Sequence, residues 1–490
     1  MTDDIKGKVT RGFFWVLIEK FSTQFVGFAI SLVLARLLCP AVYGVIALTT
    51  IFITISKFLI DSGFAAALVQ KKDVRHVDMD SVFYFNVAIA TGLYAILYVA
   101  APAIANFYHE VQLSSVLRVL ALSLIVNSIN AVQQVEISRK MLFNLGFRVS
   151  FIKCCIQGII GISMAVAGYG VWALVVAEVA SSAVLVIVTW FWVGWRPQLA
   201  FSFSALSGLM RFGWKIFVSG IWGIAYSNVY GVLVGRLYTS TDLGLYNKGN
   251  VFPNTAMSAV QSSVIGVVFP AFSKVQDDAA RMLGMIRKLV RCFTFFSMPI
   301  LGLLAGCADP LVRVLLGEKW IGAIPYLQIG CLVYCCFPLS SVPTQAIKAI
   351  GRSDLFLLQS FICGMLILGS IVISFKGGPL VMALAVAFAT GPLDRIVAAV
   401  YSKYYLRYGY WAQLQDIAPG CVLSAIVCLA SLWISQSIAG CSQMIRLAGA
   451  IATGVCAGAV CMFFSRPRPM LELVQEPAVR AIVNQFFASK

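Results

Sequence analysis

Charge is what this chain has least of. Of its 490 residues 12% are charged, about half the share of a soluble domain, while 60% are hydrophobic and mean hydropathy is +0.89. Such a balance excludes a string of soluble domains and predicts an integral membrane protein. Acidic residues are scarcer still, 20 against 37 basic, for a net charge of +17. The basic residues fall between apolar runs and not in a soluble basic domain, so no nucleic acid partner is expected. Histidine is nearly missing. With only His76 and His109, both in connecting segments, a Cys/His metal site lacks its usual ligands, and no metal or cofactor is expected. The 14 cysteines do not change this, because most of them, Cys154, Cys331 and Cys461 among them, lie inside apolar runs and read as small hydrophobes. A GxxxxGK[ST] phosphate loop is absent, which argues against intrinsic ATP hydrolysis. The connections on the outward side are too short to hold a catalytic domain, so no catalytic residue is assigned and an enzyme is not expected. No small-residue cleavage site follows the polar "MTDDIKGKVTRG", and the first apolar helix is expected to stay as the first span.

What the chain does have is long apolar runs. A bilayer core about 30 Å thick takes roughly 20 helical residues at 1.5 Å each, and that spacing predicts about fourteen transmembrane helices in an all-α fold. They begin near 13–36 and 41–64 and end near 416–436 and 443–464. The eighth, 250–272, is polar at its start, and the tenth, 323–346, is broken by Pro338 and Pro343. Twenty-five of the basic residues lie in one alternate set of connections and seven in the other, which predicts both termini in the cytoplasm.

One corner occurs twice. "LARLLCPAVYG" (34–44) and "VGRLYTSTDLG" (234–244) place Arg36 with Gly44 and Arg236 with Gly244 at matching positions six helices apart. An even number of helices keeps both copies in one orientation, so the chain reads as two six-helix lobes in parallel repeat, 1–200 and 201–410, followed by two extra helices and a tail, 411–490. Parallel repeats are a transporter architecture with the substrate in a central cavity between the lobes. A membrane helix also often ends in "RL" and a turn glycine without any repeat.

Charges inside the spans are costly and usually functional. Lys20, Lys57, Lys153 and Lys215 all fall in the cytoplasmic half of their helices and could form a cationic vestibule for an anionic headgroup; some lie near enough to the boundary to snorkel instead. Lys57 and Asp61 are spaced i, i+4 and could pair. Glu178 with Arg118, and Asp394 with Arg395, are candidates either for coupling or for structural ion pairs. Two amphipathic stretches, 274–291 and 470–487, predict helices lying on the inner surface, with the arginines of the first as lipid anchors.

Several strings together resemble a known family. "LARLLCPAVYGVIAL", "DSGFAAALVQKKD" (61–73), "GYGVWALV" (168–175) and "WRPQLAFS" (195–202) are followed by "GRLYTSTDLGLYNKG" (235–249), "VFPAFSKVQDD" (268–278) and "LLGEKW" (315–320). In this order they resemble the Wzx-type oligosaccharide flippases of the multidrug/oligosaccharidyl-lipid/polysaccharide exporter superfamily, from residue 11 to about 410. The resemblance implies two lobes around a cavity in the bacterial inner membrane. It also implies alternating access and export of undecaprenyl-diphosphate-linked oligosaccharide for polysaccharide, lipopolysaccharide, O-antigen or capsule assembly. The partners implied are the lipid-linked substrate, membrane lipids, a polysaccharide polymerase and other assembly proteins. None of the matched strings transfers a substrate-binding residue. A cation antiporter of the same superfamily is disfavoured by the intramembrane lysines, and a membrane polymerase or ligase by the missing outward loop.

Overall fold

The computed structural model describes residues 22–465, apart from positions within 62–72, residue 141 and most of 264–277. Among the described residues the regular structure is helical throughout. The chain divides into two compact units, Met1–Gly244 and Leu245–Lys490.

In the first unit the helices are α1 (Ser22–Leu37), α2 (Pro40–Asp61), α3 (His76–Tyr108), α4 (Val111–Arg139), α5 (Phe143–Val166), α6 (Val171–Trp192) and α7 (Phe203–Leu237). α3 has 33 residues and is therefore about 50 Å long, more than a bilayer core needs, so its His76 end emerges from the apolar slab. That end carries a buried charge: Asp78 accepts the Arg75 backbone N–H at 2.9 Å and pairs with Lys71 at 2.7 Å. Beneath it lies a core of Phe64, Leu68, Val82, Val132, Val193 and Trp195. α7 packs on α2 and α3 through glycines, since a Cβ at Gly235 would stand 2.2 Å from the Leu48 side chain and one at Gly220 2.0 Å from Phe58.

The repeated corner is two helix starts, not two turns. Pro40 opens α2 at a first-turn position where its missing N–H costs nothing, and Ser240 opens α8 (Ser240–Ser263), so Gly44 and Gly244 each lie one turn inside a helix. Arg236 closes α7 and reaches the next corner, where it bonds His109 and lies over the Phe107 ring at 4.9 Å. Arg36 is exposed at the end of α1.

The second unit takes most of α8, then α9 (Ala279–Gly306), α10 (Ala308–Leu315), α11 (Ile324–Cys335), α12 (Phe337–Ala349), α13 (Ser353–Ser374), α14 (Pro379–Phe388), α15 (Asp394–Leu406), α16 (Tyr410–Ser437) and α17 (Gln443–Ser465). α11 and α12 form the expected broken span, with Pro338 in the first turn after the break, while Pro343 stays inside α12 without breaking it. A second break is a π-helical turn, Ala389–Leu393, at Pro392. Outside the spans, Arg352 bonds the Asp354 carboxylate at 2.7 Å and holds it below the usual carboxylate range.

The expected surface helix at 274–291 is not there. Asp278 caps α9 by accepting the Arg281 N–H at 2.9 Å, and the helix then runs unbroken for 28 residues. Two of its three arginines bind protein: Arg287 forks onto Asp416 of α16 at 2.8 and 3.0 Å, Arg291 reaches the same carboxylate at 3.1 Å, and the Tyr408 hydroxyl donates to it at 3.1 Å. Farther along, Gly302 and Gly306 lie against the Ser424 and Cys428 carbonyls of α16, with room for no Cβ, in the manner of a small-residue seam. At the opposite end Arg446 of α17 bonds Asp309 of α10 at 3.0 Å.

Eleven helices among the described residues are long and apolar enough to cross a membrane. α1, α7 and α8 stand where the sequence places the first, seventh and eighth spans but do not meet that measure, so fourteen remains the expected number only. The tail helix at 470–487 lies outside the described residues.

Candidate functional site: an intramembrane polar cluster

Two apolar helices of the first unit each carry a pair of polar residues spaced four apart, which puts each pair on one face. Lys153 and Gln157 of α5 meet Glu178 and Ser182 of α6. The Lys153 ammonium stands 3.4 Å from Glu178 Oε1, Gln157 donates to Oε2 at 3.1 Å, and the Ser182 hydroxyl donates to Oε1 at 3.5 Å. The ammonium and the carboxylate are 26% and 25% exposed, so the pair is half-buried and open on one side. Lys57 of α2 is exposed and lies within electrostatic reach of both Glu178 and Lys153. A carboxylate saturated by three donors fixes the lysine beside it, while Lys57 stays open to a ligand. Together they form a polar patch with two ammonium groups on otherwise apolar helices, suited to an anion.

The structure thus brings together Lys57, Lys153 and Glu178 of the residues singled out by sequence. It does not pair Glu178 with Arg118. The Arg118 guanidinium turns instead to Tyr98 of α3, whose ring it covers at 4.4 Å and whose carbonyl it bonds at 3.1 Å. Equal depth along two helices suggested the pair, and helix rotation decides against it. Asp61 is exposed at the end of α2. Lys20, and the side chain of Lys215, lie outside the described residues.

In the second unit Asp394 and Arg395 are buried together at 2.6 Å. Arg395 also bonds the Thr390 carbonyl at 3.1 Å and that of Gly391 at 3.3 Å, satisfying oxygens of the widened turn. This pair reads as the stitch of a helix break. Lys248, one of the seven basic residues counted in the outward set of connections, is buried in α8. Gln157 and Ser182 were missed, although polar residues four apart in an apolar run were the signal for them. No group of three or more His, Cys, Asp or Glu able to hold a metal occurs among the described residues. Elsewhere in the first unit an apolar cavity of about 440 Å³ is lined by Ile51, Ile55, Ala103, Phe107 and Val232.

The model of the family described as polysaccharide biosynthesis protein matches residues 33–325, more than half of the sequence. The chain belongs to that polysaccharide biosynthesis family. Among curated relatives, it is 23% identical over 414 residues to the teichuronic acid biosynthesis protein TuaB of Bacillus subtilis, covering 84% of this chain and 85% of that one. It is 25% identical over 385 residues to the succinoglycan biosynthesis transport protein ExoT of Rhizobium meliloti, covering 78% of each. Among solved structures, its fold is similar to that of the lipid II flippase MurJ in an inward closed conformation. The TM-score there is 0.75 at 14% identity, over 92% of this chain and 98% of that one. The family member described here therefore has a MurJ-like, all-helical, multi-pass membrane fold.

Proposed function

We propose that this protein is a flippase that carries undecaprenyl-diphosphate-linked oligosaccharide units across the bacterial inner membrane by alternating access, and that it is not an enzyme. The observation that supports the reading is the half-buried Lys153–Glu178–Gln157–Ser182 cluster beside the exposed Lys57, a polar patch with two ammonium groups on otherwise apolar helices. Membership of a polysaccharide biosynthesis family supplies the substrate class, and a relative named as a transport protein supplies the direction of the argument. In this scheme Lys57 and Lys153, joined by Lys20 and Lys215, receive the diphosphate. Glu178 keeps Lys153 extended into the path while the polyprenyl tail stays in lipid. The proposal includes two lobes, 1–200 and 201–410, with 411–490 added, both termini in the cytoplasm, and a polysaccharide polymerase downstream.

Depleting the protein and locating the lipid-linked oligosaccharide by leaflet tests this. Accumulation in the cytoplasmic leaflet is the expected result. Unpolymerised units accumulating in the outer leaflet would overturn it and point to a polymerase.

A further inference from the structure

The segment between α6 and α7 has no regular structure, yet it is held in place. The Gln198 backbone N–H donates to Asp80 Oδ1 at 3.1 Å and the Ser202 N–H to the Ser81 hydroxyl at 2.9 Å, both on the first turns of α3. Gln133 of α4 donates to the Trp195 carbonyl at 3.1 Å, and the Trp195 ring stacks on His76 with 5.9 Å between centroids. Between the two anchors the Ala200 N–H bonds the Gln198 carbonyl at 2.7 Å, closing a tight turn with Leu199 at its tip. The fixed backbone turns its apolar side chains outward. Leu199 is 99% exposed, Phe201 57% and Phe203 76%. A loop in water would gain nothing from holding three such side chains in the open, since each forfeits the free energy of burial.

Two features say what covers them. Immediately before the loop, Ile187, Phe191 and Trp192 on the last turns of α6 are also exposed, which is the lipid-facing belt of a spanning helix. The apolar tip continues that belt past the helix end, with Trp192 at the position of an interfacial aromatic. The same end of the unit carries five cations: Lys71 and Arg75 pair with Asp78 on the first turn of α3, Lys140 pairs with Glu136, Arg139 bonds the Leu68 and Lys71 carbonyls, and Arg196 lies over the Trp190 ring at 5.5 Å. Apolar side chains flanked by cations are the chemistry of a surface that dips into the acyl boundary beneath anionic headgroups.

We infer that residues 199–203 form a membrane-interface wedge, in which Leu199, Phe201 and Phe203 insert into the lipid of the same bilayer that α6 crosses. The wedge fastens the α6–α7 connection to the membrane surface and to the first turns of α3 together.

The test replaces Leu199, Phe201 and Phe203 one at a time by photoreactive p-benzoyl-phenylalanine in the full chain, and irradiates native membranes. Ile187, on the lipid face of α6, serves as the control that shows the chain inserted. After proteolysis, mass spectrometry is expected to find the 199–203 peptide shifted by the mass of one phospholipid, as at Ile187. A cross-link to a second copy, a cross-link to another protein, or no adduct while Ile187 labels would each overturn the wedge. Transport plays no part in this readout, so it stands or falls apart from the flippase reading.

Discussion

Gly44 and Gly244 meet in reciprocal fashion: a Cβ on Gly44 would lie 1.7 Å from the Ser240 carbonyl oxygen, and one on Gly244 2.0 Å from that of Pro40. Residue 44 touches 240 and 244 touches 40, which is the signature of a two-fold relation between the starts of α2 and α8. The repeated corner is therefore a contact between its own two copies. Because backbone, not a flexible side chain, opposes each Cβ, Gly44→Ala is expected to cost about 1–3 kcal/mol as overpacking. Thermal unfolding in detergent measures it. The Gly44→Ala/Gly244→Ala double variant should lose less than the sum, since both clashes are relieved by one separation; strict additivity would refute the reciprocal contact.

The Lys153–Glu178 pair separates stability from transport. Lys153→Ala leaves a half-buried carboxylate without its cation, and a loss of about 1–2 kcal/mol is expected after allowing for its partial exposure. Adding Glu178→Gln should restore most of the melting temperature. Export of lipid-linked oligosaccharide should stay low in both variants, and recovery of export in the double variant would remove Lys153 from the substrate path.

Asp416→Asn neutralises the carboxylate that Arg287, Arg291 and Tyr408 share. About 3 kcal/mol should be lost, because two neighbouring guanidinium groups lose the counter-ion between them. Limited proteolysis between α15 and α16 should become faster than in the parent protein. Unchanged cleavage would mean that the seam alone holds α16.

That seam has its own test. Gly302→Leu places a side chain where the Ser424 carbonyl already stands, 2.5 Å from a bare Cβ, and is expected to lower the melting temperature and the yield of folded protein. Leu301 is a neighbour in sequence but buried on another side, so Leu301→Met should be tolerated within about 1.5 kcal/mol.

Hydropathy made most spans and the break before Pro338 readable, since apolar length and proline act locally, but the π-helical break at Ala389–Leu393 was not read from the sequence. The repeated corner was also legible, but its glycines looked like turn residues. Only the contact between the first turns of α2 and α8 shows that they are there because a backbone passes too close for a Cβ. The polar face of 274–291 was visible too and was assigned to the membrane surface, because the partner that consumes its arginines, Asp416, lies over a hundred residues away. Lys57, Lys153 and Glu178 stood out as charges in apolar runs. Which of them meet depends on helix rotation, so Arg118, offered by the sequence as a partner for Glu178, goes instead to Tyr98.

The attachment of the last two helices has a mechanical meaning. α16 is bolted to α9 near one end by Asp416 and along its length by glycine-to-carbonyl contact, while α17 is tied at the far end through Arg446 and Asp309. A rod fixed near one end and along its length cannot hinge against its support. α9, α16 and α17 must travel as one beam, so whatever tilts α9 sweeps the added pair through the lipid with it.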